Sequence, residues 1–96
     1  MREKTIESKL TEAVKHRKGL SIKLVSPSFD GLPDRLILLP NGKIGFIEVK
    51  APGKKLRPLQ KKRKEQLELL GFQAFVLDSE QQIEKIIDEI IGGDAE

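Results

Sequence analysis

The sequence predicts an α/β (α+β) domain, a mixed sheet flanked by helices, with elements in the order α-β-β-β-α-β-α. Three observations lead there. Apolar residues recur at helical spacing at both ends of the chain and once near its middle. Four short runs rich in aliphatic residues are bounded by Gly, Pro, Asn and Ser clusters, as strands are. The middle helix falls between the third and fourth of these runs, which is the order of a parallel crossover, whereas the earlier runs are joined by turns.

The first helix is read over Glu3 to Lys18, where Ile6, Leu10, Ala13 and Val14 form one face and Gly19 closes a basic last turn. Leu20 to Val25 alternates, with Leu20, Ile22 and Leu24 on one side, and reads as a strand. Ser26 to Gly31 has the turn chemistry of a loop. Arg35 to Leu39 is the second strand, entered through Pro33-Asp34. Pro40-Asn41-Gly42-Lys43 supplies the positive-φ positions of a hairpin turn. Ile44 to Lys50 is the third strand, stopped by Ala51-Pro52-Gly53. A second helix from Pro58 to Leu70 points Leu56, Leu59, Leu67 and Leu70 inward and ends at Gly71. Phe72 to Leu77 is the fourth strand. The last helix, Glu80 to Ile91, buries Ile83, Ile86, Ile87, Ile90 and Ile91. Residues 1–91 are expected to form a single domain and residues 92–96 a flexible tail.

A chain of 96 residues holds one modest core. It has no cysteine, which excludes disulfides and thiolate metal sites and fits an intracellular, cytoplasmic protein. The single histidine, His16, excludes a histidine-rich metal centre. No apolar run has the length of a membrane span, and the charged residues from Arg2 to Lys4 do not resemble a secretion signal. The net charge of +3 matters less than its distribution. Eight basic and no acidic residues lie between Lys50 and Lys64, while seven acids and one lysine follow from Asp78 onward. A polyanion facing one end of the molecule suits this asymmetry, although a basic run is often just a solvated helix.

The chemistry gathers at the edge of the predicted hairpin. Period two in the third strand puts Glu48 and Lys50 on one face and Ile47 and Val49 on the other, buried, face. The Asn41-Gly42 turn sets a register that brings Asp34, 14 positions earlier, close to Glu48. Two carboxylates beside a lysine and a run of cations suit Mg²⁺ or Mn²⁺ held between acids and substrate phosphate. Two adjacent carboxylates favour Lys50 as an ammonium that neutralises charge on the phosphoryl oxygens over Lys50 as a base. Singly, Glu-x-Lys on a strand is a common surface ion pair, and Pro-Asp is an ordinary strand start. Their order and the hairpin between them give the set its meaning.

Gly31-Leu32-Pro33-Asp34, then Phe46-Ile47-Glu48-Val49-Lys50-Ala51-Pro52-Gly53, then Leu56 and Gln60, resemble the virus-type replication-repair nuclease (VRR-NUC) domain. That domain belongs to the PD-(D/E)XK, restriction-endonuclease-like superfamily. The resemblance implies that Asp34 and Glu48 are metal-binding acids, with the Val49 backbone carbonyl as an extra ligand. It implies that Lys50 is the catalytic lysine and Gln60 a supporting glutamine on the following helix. Glu7 matches an acid on the first helix that can complete the metal shell; on the helical wheel it lies at the rim of the apolar stripe, where it could equally be a surface carboxylate. The chain looks like the stand-alone, phage-type members, which resemble homodimeric Holliday-junction resolvases.

The loop residues Lys54, Lys55 and Arg57 are the first candidates for contacting DNA, joined by Lys61. Lys61-Lys62-Arg63-Lys64 covers every direction of a helix, so only part of it can meet phosphates. With no Trp or Tyr, backbone and shape readout are expected over base stacking. Phe29, in the loop before Asp34, is either a core residue or a wedge beside the cleavage site. The leading expectation is a metal-dependent, structure-selective DNA endonuclease acting as a homodimer on branched DNA, in the host cytoplasm if phage-encoded. The alternatives are a flap- or end-acting repair nuclease and a non-catalytic nucleic-acid-binding module.

Overall fold

The computed structural model describes residues 1–92. Its elements are α1 (Glu3–His16), β1 (Leu20–Lys23), β2 (Arg35–Leu39), β3 (Lys43–Val49), α2 (Pro58–Leu69), β4 (Gln73–Leu77) and α3 (Ile83–Ile91). The predicted order and the mixed sheet are both present. Strands lie in the order β1-β2-β3-β4, antiparallel except for the parallel β3–β4 pair that α2 connects. The tail expected at residues 92–96 falls, from residue 93, outside the described residues.

One face of the sheet makes the core. Ile37 and Leu39 of β2, Ile47 and Val49 of β3 and Leu77 of β4 meet Ile6, Leu10 and Val14 of α1 and Ile83, Ile86, Ile87 and Ile90 of α3. The alternation within β3 therefore sends Ile47 and Val49 under two helices, and Glu48 to the opposite face with Phe46 and Ile44. Arg17 fastens the helix pair, its guanidinium reaching Glu84 at 2.8 Å and Asp88 at 2.9 Å. That use of the acidic C-terminal helix leaves its charge on the side away from Glu48.

Boundaries differ from the sequence reading for identifiable reasons. The residue that closes α1 in the left-handed region is Lys18, with φ 64°, not Gly19. Gly19 is needed because β2 passes too close: a Cβ there would meet the Leu38 carbonyl oxygen at 2.4 Å. The hairpin turn is Pro40–Gly42, with Asn41 at φ 68° as expected of Asn-Gly. A turn of 3₁₀ helix, Glu80–Gln82, precedes α3 and is capped by Ser79. Ile91, expected inside, is 37% exposed.

The larger correction concerns α2. The sequence pattern turned Leu59, Leu67 and Leu70 inward, yet Leu59 and Leu70 are exposed and the one buried residue of the helix is Gln60. The helix packs mainly against β4. The inward direction of its first turn is taken by a polar group that has a polar partner on β3.

Candidate active site

The β2–β3 ladder brings the two acids together. Arg35 pairs with Ile47, and the same register continued by one residue sets Asp34 opposite Glu48. Asp34 is held from both sides: its carbonyl accepts from the Leu24 N–H at 2.8 Å, and its Oδ1 accepts from the Val49 N–H at 3.0 Å. The carboxylate is thus pinned at the end of β3 rather than swinging in solvent.

Glu48 is only 8% exposed. Its Oε2 accepts a hydrogen bond from Gln60 Nε2 at 3.0 Å, and Lys50 Nζ stands 3.6 Å from the same oxygen. Gln60 uses its other end, Oε1, to accept from the Arg57 N–H at 2.9 Å. Only the amide oxygen can satisfy that backbone donor and only the amide nitrogen can donate to the carboxylate, so the orientation of Gln60 is determined by its partners. One side chain therefore caps the first turn of α2 and fastens it to the acid on β3. Lys50 lies one residue beyond β3, where its N–H donates to the Leu77 carbonyl at 2.8 Å and prolongs the parallel ladder.

Burial pushes the Glu48 carboxyl up to about 7, the charge on Asp34 adds to this, and Lys50 offsets it in part. Asp34 is also raised, first by burial and then by Glu7, against the lowering effect of the Val49 N–H. Two carboxylates and one ammonium make an oxygen-rich cluster that is net negative once both acids are ionised. That is the donor set a hard divalent cation takes, since Mg²⁺ is typically held by one or two carboxylates together with waters and phosphate oxygens. The residues present fit such an ion.

Glu7, on α1, is near enough to raise Asp34 and is itself paired with Arg35. Its Oε2 receives both Arg35 Nε and Arg35 Nη2 at 2.9 Å. Among the described residues no third acid joins Asp34 and Glu48 in a metal-holding cluster. Arg35 escaped the sequence reading, although a signal was there. It pairs with Ile47 on the core face of the sheet, where a charge needs a partner, and α1 supplies the acid.

The candidate DNA contacts Lys54, Lys55, Arg57 and Lys61 are all exposed, on the loop after Lys50 and the start of α2. The rest of the basic run divides as helical geometry requires. Lys62 is exposed, Lys64 pairs with Glu68 at 2.7 Å, and Arg63 turns toward the loop before Asp34. Phe29, in that loop, is 46% exposed and not a core residue. Among the described residues no helix is long and apolar enough to cross a membrane.

Comparison with known proteins agrees with this fold. The family model of the VRR-NUC domain matches residues 2–81, from the start of α1 past β4. A protein of Acyrthosiphon pisum secondary endosymbiont phage 1, named "Putative nuclease p44", is 49% identical over 80 residues, covering 83% of this chain and 86% of that protein. A solved VRR-NUC domain structure superposes with a TM-score of 0.84 at 33% identity, over 90% of this chain and 94% of its own. The matched region contains both acids, the lysine and the glutamine that ties α2 to β3, and the chain belongs to the VRR-NUC family of nuclease domains.

Proposed function

We propose that this protein is a metal-dependent, structure-selective DNA endonuclease that works as a homodimer on branched DNA, in the manner of a Holliday-junction resolvase. The observation that carries the reading is the facing of Asp34 and Glu48 across the β2–β3 register, with Lys50 3.6 Å from Glu48. Asp34, Glu48 and the Val49 carbonyl would hold Mg²⁺ or Mn²⁺, which would supply polarisation of the scissile phosphate and acidification of a water. Lys50 places an ammonium where negative charge develops on the phosphoryl oxygens. Gln60 holds the Glu48 carboxylate in one orientation. Lys54, Lys55, Arg57 and Lys61 neutralise flanking phosphates, so binding weakens steeply with salt. Glu7 keeps Oε2 on Arg35 and would offer its other carboxylate oxygen to complete the metal shell. The protein acts in the cytoplasm of the cell that holds its DNA substrate.

The uncovered face of the sheet supports the homodimer. Leu20, Leu38 and Ile44 form one cross-strand row and Ile22, Leu36 and Phe46 the next, on the face that α1 and α3 do not cover. Leu20 is 61% and Ile22 41% exposed, and Phe72 packs edge-on to Phe46 at 5.7 Å beside them. A contiguous apolar face of this kind is uncommon on a monomer and is self-complementary when two copies meet. Ile22→Glu is expected to yield monomers in light scattering at micromolar concentration without loss of the folded circular-dichroism signal. A wild-type monomer would remove the homodimer.

Gln60→Ala should lower the cleavage rate about 10–100-fold, the usual effect of removing a group that orients a metal-binding carboxylate. Single-turnover kinetics with saturating DNA measures it directly. The function itself is tested with labelled single strand, duplex, flap and four-way junction, each with Mg²⁺, with Mn²⁺ and with chelator. Paired, metal-dependent nicks in the junction are expected. Cutting confined to flaps or ends would replace the resolvase with a flap nuclease, and binding without any cutting would overturn the enzyme assignment.

A further inference from the structure

The loop Ser26–Gly31 is fastened to α2 in three ways. The Arg63 guanidinium lies 3.9 Å over the centroid of the Phe29 ring. Its Nε donates to the Asp30 carbonyl at 2.8 Å, while its Nη1 donates to Gln66 Oε1 at 2.9 Å. Gly31, at φ 90°, presses so closely on the helix that a Cβ there would meet Leu59 Cγ at 2.7 Å and Arg63 Cγ at 3.0 Å. An ordered aromatic ring usually reflects burial, but Phe29 remains 46% exposed. With the guanidinium over one face, the exposed area lies on the other face and the edge. The protein holds a ring still and leaves it in water.

Its location gives that ring a use. Phe29 stands five residues before Asp34, so their Cα atoms are at most about 18 Å apart. Asp30 and Gly31, its neighbours, line a groove of about 420 Å³ together with Arg57, Pro58, Leu59 and Gln60. Gln60 is the residue bonded to Glu48. The groove therefore lies between the Phe29 loop and the first turn of α2, one side chain away from Glu48, and Arg57 lines it.

We propose that Phe29, immobilised by Arg63, is a stacking platform for an unpaired nucleobase beside the scissile phosphate, and that it favours DNA with a single-stranded segment there. This rests on the nuclease reading for its biological meaning. Every base has a π-face, so the subsite is indifferent to sequence but not to pairing. A base inside a duplex must first be unstacked, whereas an unpaired one is ready to dock. Prior fixing of the ring by Arg63 removes the ordering cost that a free loop would incur on binding.

The test is binding in chelator, where cleavage does not intervene, to duplexes carrying a single-stranded overhang with one abasic site moved along it. In the wild type, one abasic position is expected to weaken binding roughly tenfold, within the range of a single base–aromatic stack. Phe29→Ala should bind the intact overhang as weakly as the abasic one, and Phe29→Trp should restore the difference. An equal abasic penalty in wild type and Phe29→Ala, or none at any position in the wild type, would overturn the platform. A protein that shows the penalty yet cuts nothing with Mg²⁺ or Mn²⁺ keeps the platform and loses the nuclease reading. One that cuts without the penalty does the reverse.

Discussion

Glu48→Gln is expected to abolish cleavage while making the metal-free protein more stable above neutral pH. The carboxyl titrates at about 7 in the fold against an ordinary 4.5. Between those values the folded state binds more protons than the unfolded state, so stability falls as pH rises. The contribution of this group is fully present below 4.5 and lost once pH passes about 7. Glutamine is uncharged at every pH and can still accept from Gln60 through its own oxygen. The gain at pH 8 is about 1–3 kcal/mol, roughly 5 °C or more in melting temperature for a domain of this size. Thermal melts in chelator at pH 5 and pH 8 check it: the variant's advantage should grow with pH. The same substitution removes one of the two carboxylates proposed to hold the metal, and the expected loss of cleavage is on the order of a thousandfold or more. A site that costs stability and supplies activity is the usual trade at a catalytic centre.

Lys50→Met should reduce the cleavage rate about 10²–10³-fold, the effect of deleting one charged or hydrogen-bonding group that stabilises a transition state. The methionine keeps the apolar stem, and the backbone bond from Lys50 to Leu77 is untouched, so the fold and DNA binding persist. The decisive observation is a fall in single-turnover rate at saturating DNA with little change in the binding curve. A variant that binds ten times more weakly but cuts at the wild-type rate would make Lys50 a DNA contact only.

Local chemistry made the frame legible. Asn41-Gly42 marked the hairpin, and the alternation from Ile44 to Lys50 assigned Ile47 and Val49 to the core and Glu48 to the other face. The convergence of Asp34 with Glu48 follows from that register and is what the ladder shows. The surroundings of the acids were less legible because they depend on how separate elements pack. A leucine-rich pattern in α2 suggested an apolar inner face, while the direction is set by Gln60 reaching Glu48. Glu7 looked free on a helical wheel, which cannot show that Arg35 arrives beside it from the sheet. Phe29 could be core or surface from composition alone, and the Arg63 contact that decides its placement spans 34 positions.

The most direct measurement is cleavage of one labelled branched DNA by wild type and Glu48→Gln across a Mg²⁺ titration, with a chelator control. Strand cutting by the wild type should rise with the metal, vanish in chelator and be lost in the variant at every concentration. Cutting in chelator, or equal cutting by Glu48→Gln, would contradict a metal site built on Asp34 and Glu48.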